Sequence, residues 1–262
     1  MAKPPARADQ RSRPRPARAA AGDRHARVPD GTLRLNGQGT DALEAGSTLE
    51  LYRQHLLATR QFAANARVLE QRGPDRVTAT GLDRHRAYVT AAILAAVAFL
   101  EASINELYLD LQELEPSNGA QPLNRLLARL PDVWPAAERA PILHRYQLAL
   151  ALADAERFDQ SRPPYTDAES LIQLREALVH QQPDPDDGGA RLRKLERRLR
   201  QRFAPNALAR ATDAWFPHLC LGAGCADWAV QTAQSFSDAF CQRMSIPARG
   251  LGWREGQRPA RR

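Results

Sequence analysis

A chain of 262 residues, 43% of them hydrophobic, is long enough to bury one sizeable core or two small ones, which excludes general disorder. The formal charge of +7 sits at the ends: residues 1 to 30 hold eight basic and three acidic side chains, residues 249 to 262 five and one, so the tails carry +9 and the rest about −2. Net charge therefore implies no basic globular face, and three cysteines, an odd number, argue against a disulfide framework.

Residues 1–45 mix Pro, Gly, Ala and Arg without hydrophobic periodicity, which predicts a disordered Arg/Pro-rich tail. Residues 247–262 read the same way, leaving a helical domain over 46–246. The opening stretch has no apolar segment after its basic residues. The longest apolar run, Val89 to Leu100, falls short of the roughly 20 residues of a membrane span. We therefore expect a cytoplasmic protein with no membrane partner.

Between the tails the periodicity is helical almost everywhere, and runs of alternating β-branched residues are missing, so the expected fold class is all-α, a helical bundle with a long central helix. Ser47-Thr48-Leu49-Glu50 is a capping box, and the helix it opens carries Leu49, Leu56, Leu57, Phe62 and Leu69 as far as Gly73-Pro74. The central helix is expected over about 82–114, because Val89, Ile93, Val97, Leu100, Ile104, Leu107 and Leu111 recur every three to four residues; Pro116 and Asn118-Gly119 close it. A short helix near 122–130 and a longer one over 136–158 follow, each bounded by proline. Then come helices at about 167–181 and, very basic, at 191–202. A last segment, 207–244, is interrupted at Gly222 and Gly224. No internal repeat is visible.

The chemistry concentrates in Leu171-Ile172-Gln173-Leu174-Arg175-Glu176-Ala177-Leu178-Val179-His180. At about 100° per residue, Arg175 falls inside the apolar arc of Leu171, Leu174, Leu178, Ile172 and Val179. A guanidinium there cannot shed its proton, so it needs a carboxylate, a carbonyl or a phosphate. Glu101, at helical spacing with Val97, Ile104 and Tyr108, is the internal candidate. His180 lies about 140° around an ideal helix from Arg175, so the two converge only if the helix unwinds near Pro183 or if two copies share a cleft. Glu176, four residues before His180, either orients the imidazole or forms an ordinary surface pair.

This segment resembles the RxxxxH motif of the HEPN superfamily. The order of a long helix bearing Phe99-Leu100-Glu101-Ala102-Ser103-Ile104-Asn105-Glu106-Leu107-Tyr108, the RxxxxH helix and a closing helical segment is also similar, over about residues 45–245. The resemblance implies an all-helical homodimer and, in the family's active members, a metal-independent endoribonuclease of the toxin or phage-defence kind. Arg175 would bind the scissile phosphate. His180 would transfer a proton as the ribose 2′-hydroxyl attacks. RNA is then the expected substrate, an antitoxin or other protein a further partner, and no cofactor is called for. Glu176 stands where the family often has Asn and puts a carboxylate beside the phosphate site. The same fold without catalysis, a dimerisation or binding module in which Arg175 pairs with Glu101, is the alternative.

Other constellations carry less. The basic helix 191–202 either tracks a phosphate backbone or is a solvated face with Leu192, Leu195 and Leu199 inward. His218, Cys220, Cys225 and Cys241 match no zinc spacing. Trp215, Phe216 and Trp228 read as core or as base-stacking platforms.

Overall fold

The computed structural model describes residues 50–113, 121–180 and 189–248. The described helices are α1 (Leu51–Glu70), α2 (Ala79–Glu113), α3 (Gln121–Ala137), α4 (Ile142–Leu152), α5 (Tyr165–Val179), α6 (Ala190–Leu199) and α7 (Ala223–Met244), with a 3-10 turn at Pro74–Arg76 and a π turn at Trp215–Leu219. No strand occurs among the described residues, and the fold class is all-α. The capping box lies outside them save for Glu50, which accepts a hydrogen bond from Arg53 at 3.1 Å. The two tails, and the stop at Pro116 and Asn118-Gly119, also lie outside.

Helix α2 is the axis of the bundle. All seven residues of its predicted stripe are buried, and α1 and α7 pack along it, with α4 and α5 making further contacts. By length and composition, Ala79–Leu111 could cross a membrane; half of its most apolar window is buried among the other helices. Counting only the unbroken run to Leu100 understates this helix, since Glu101 interrupts the run but not the helix. On α1 the inward residues are Tyr52, Leu56, Thr59, Ala63, Ala66 and Leu69, while Leu57 is exposed. An aromatic cluster closes the core: Tyr146 meets Phe236 and Phe240 edge-on at 4.9 and 4.8 Å, and Phe158 stacks on Phe236 at 4.7 Å. Such pairs add about 0.5–1.5 kcal/mol each beyond area burial.

Two boundaries differ from expectation. The pair expected at 122–130 and 136–158 is instead 121–137 and 142–152. Helix α3 continues past Pro131 and Pro135, and Pro141, whose fixed φ suits a helix start, opens α4. The segment 207–244 is helical only from Trp215. Asn206 holds the preceding stretch out of helix: its side-chain amide donates to the His218 carbonyl at 3.1 Å, its side-chain oxygen accepts from the Leu208 N–H at 3.0 Å, and its own N–H donates to the Leu219 carbonyl at 2.8 Å. Bonds of this local kind compete with helix formation.

Candidate functional site

Helix α5 follows Pro164, carries Asp167 in its first turn and turns Ala168, Leu171 and Leu174 into the core. That stripe is narrower than the arc read from the sequence. Leu178 is only partly buried, Val179 is 52% exposed, and Arg175 is half-buried at the margin. The helix ends at Val179, two residues short of the expected end at about 181. His180 leaves it with φ −109° and ψ 64°, exposed, its N–H donating to the Glu176 carbonyl at 2.8 Å. The 140° separation expected on an ideal helix therefore does not hold for His180.

Glu176 is exposed. It is tied to His180 through the main chain, and no hydrogen bond or ion pair joins its carboxylate to the imidazole. The side-chain pair expected at four-residue spacing is absent because His180 is no longer helical.

The expected Arg175–Glu101 pair is also absent. Glu101 belongs to Arg145 on α4, whose Nη2 donates to its Oε1 at 2.9 Å. Arg145, 7% exposed, also bonds the Asn105 side chain and donates through Nε to the Ala140 carbonyl at 2.9 Å. The Tyr108 hydroxyl donates to the Arg145 carbonyl at 2.8 Å, and burial pushes that phenol well above its ordinary range, against the smaller opposing pull of the Arg145 charge. The buried arginine of this fold is thus Arg145. Its signal is its place in a short helix whose other residues, His144 and Gln147 apart, are apolar. Arg175 has no ion-pair or hydrogen-bond partner among the described residues.

Helix α6 braces the start of α5. Leu195 and Leu199 are buried; Arg198 donates to Glu169 at 2.8 Å, Arg202 reaches Asp167 at 3.0 Å, and Arg200 pairs with Glu196 and lies over the Trp215 ring at 5.8 Å. Leu195 and Leu199 face inward as the solvated-face reading expects, whereas Leu192 is only partly buried. Arg198, Arg200 and Arg202 are thereby engaged in holding the fold.

A second polar junction, missed in the sequence, ties three helix ends together. Glu70 at the end of α1 meets His85, 1% exposed, at 2.9 Å, and accepts the N–H of Ala223, the first residue of α7, at 2.7 Å. A carboxylate at a helix N-terminus is favourable by about 0.3–1 kcal/mol.

Among the described residues no three of His, Cys, Asp and Glu converge as a metal site. Cys220, Cys225 and Cys241 are buried, and burial, with Cys220 against it, pushes the Cys225 thiol up. Trp215 and Trp228 are core residues, Trp228 lying 5.5 Å from Phe203, and Phe216 packs against the same core. No protein-family model, curated protein or solved structure matches this chain.

Proposed function

We propose that the end of α5 is the site of a metal-independent endoribonuclease, with Arg175 holding the scissile phosphate and His180 transferring the proton of the attacking ribose 2′-hydroxyl. The observation that carries this reading is the open state of Arg175. The expected carboxylate, Glu101, is taken by Arg145, so a half-buried guanidinium stands without a counter-charge among the described residues, in reach of an external anion. A phosphate oxygen satisfies it with the forked geometry that arginine favours.

In the reaction His180 accepts the 2′-hydroxyl proton, the 2′-oxygen forms a bond to phosphorus, and the bond to the 5′-oxygen breaks as that oxygen takes a proton from solvent water, leaving a 2′,3′-cyclic phosphate and a 5′-hydroxyl; His180 returns its proton to solvent. Arg175 balances the charge that builds on the non-bridging oxygens, a role that elsewhere contributes about 10²–10³ in rate. Glu176 lies beside this phosphate and tempers affinity. His180, exposed beyond the end of α5, is free to meet either its own Arg175 or that of a second copy, and we place the working cleft between two copies.

The test is cleavage of a mixed RNA pool in EDTA by the full chain and by His180→Ala. The reading expects cyclic-phosphate ends, with the rate falling about 10²–10⁴-fold in the variant, the usual worth of a proton-transfer group. Cleavage that persists in the variant would sink the assignment of His180.

A further inference from the structure

The connection from α1 to α2 encloses a cleft that the α5 site does not use. Gly73, at φ +79°, turns the chain out of α1, Pro74–Arg76 forms the 3-10 turn, and Thr78 begins α2. The cavity between them is about 170 Å³ and is lined by Arg72, Arg76, Arg84, Thr78, Thr80 and Gly81, with Leu69 and Val77 as its apolar wall.

The charge around this cavity is one-sided. Three arginines, all solvent-exposed, line it, and no carboxylate does. None of the three has an ion-pair partner among the described residues, and of the nearby acids Asp83 faces Arg86 at 4.0 Å while Asp75 does not line the cleft. Three like charges around one cavity repel each other, and an anion placed among them removes that cost.

The first turn of the 35-residue helix α2 opens on the same space. Thr78 caps it, its hydroxyl accepting the Gly81 N–H at 3.2 Å and its carbonyl the Leu82 N–H at 2.9 Å. The N–H groups of Ala79 and Thr80 precede any intrahelical acceptor, and the helix dipole adds positive potential there. Glycine at 81 keeps the wall close, since a Cβ there would stand 2.8 Å from Val77 Cγ1.

We propose that this cavity binds a phosphate group, carried either by a free nucleotide or by the 5′ end of an oligonucleotide. Guanidinium forks can only donate, and threonine hydroxyls can add a donor each, to an anion's several oxygens, and a cavity of about 170 Å³ has room for a phosphate group. The assignment does not depend on the ribonuclease reading, because Arg175, Glu176 and His180 do not line the cleft.

The experiment is calorimetric titration of the full chain with inorganic pyrophosphate, AMP and adenosine at about 0.15 M salt, where loose attraction to the basic tails is screened. Arg76→Gln/Arg84→Gln is the site variant, its folding checked by circular dichroism, and Arg254→Gln/Arg258→Gln is the tail control. Saturable binding of pyrophosphate, weakened about tenfold or more in the site variant and unchanged in the control, is the expected result. A tetranucleotide with and without its 5′-phosphate then separates the sources. Preference for AMP assigns a free nucleotide, and preference for the phosphorylated strand assigns an RNA end. Absence of saturable binding by any phosphate probe, or equal binding by wild type and site variant, overturns the proposal.

Discussion

Arg145 and Arg175 look alike in sequence, each an arginine in an amphipathic helix, and they separate only when their surroundings are counted. Arg145 is buried and bonded to Glu101, Asn105 and the Ala140 carbonyl. Arg145→Ala leaves those groups unpaired and is expected to cost about 2–4 kcal/mol, at the lower part of the buried-pair range because Glu101 is 42% exposed. Urea unfolding measures it, and a loss under about 1 kcal/mol would show that the cluster is ornamental. Which carboxylate meets which arginine was not legible, because helical spacing fixes a face but not the neighbour across it. Glu101 was recognised as a partner of an arginine, and the arginine was misassigned. A third arginine, Arg129, donates to Asp154 at 2.8 Å and holds that carboxyl below its ordinary value. A depressed carboxyl contributes stability above its unfolded pKa and loses it as pH falls through the folded value. NMR titration should find Asp154 ionising below the ordinary aspartate range in the native chain and moving back toward it in Arg129→Ala, where Arg125 at 3.7 Å still remains; an identical midpoint in both would remove the pair.

Elements were legible where one period runs long. The α2 stripe from Val89 to Leu111 repeats without interruption and every member is buried. Legibility failed where proline or asparagine decided the matter locally: Pro131 was read as a stop and is not one, and the side-chain bonds of Asn206 cannot be inferred from composition. Of the two glycines expected to interrupt 207–244, Gly222 precedes α7 and Gly224 lies inside its first turn without breaking it, and each has a steric reason to be glycine. A Cβ on Gly222 would lie 2.6 Å from Asn206 Cα, and one on Gly224 would lie 2.8 Å from the Ala204 carbonyl oxygen, both backbone atoms that cannot swing aside. Gly222→Ala is therefore expected to destabilise by about 1–3 kcal/mol, the range of overpacked sites. Thermal unfolding followed by circular dichroism checks this, and an unchanged midpoint would mean that the 206–222 contact opens at little cost. The same measurement on Glu70→Gln, which weakens the bonds to His85 and the α7 N-terminus, is expected to give a smaller loss of about 1–2 kcal/mol.

For the whole molecule, composition and periodicity were enough for the all-α bundle, whereas the site we propose between two copies of the chain has no signature in either. If Arg175 of one copy works with His180 of another, the Arg175→Ala and His180→Ala variants are each inactive, yet mixing them re-forms one intact site in each mixed dimer. Equal mixing then restores about a quarter of wild-type cleavage, since half the dimers are mixed and half their sites are complete. No restoration alongside an active wild type would confine the site to single copies. The most direct test of the central claim is the cleavage rate of Arg175→Ala measured with its urea midpoint. Because Arg175 has no partner among the described residues, we expect cleavage to fall about a hundredfold or more while stability stays within about 0.5 kcal/mol of wild type. Unchanged cleavage, or a stability loss of the size expected for Arg145→Ala, would contradict the account and return Arg175 to a structural role.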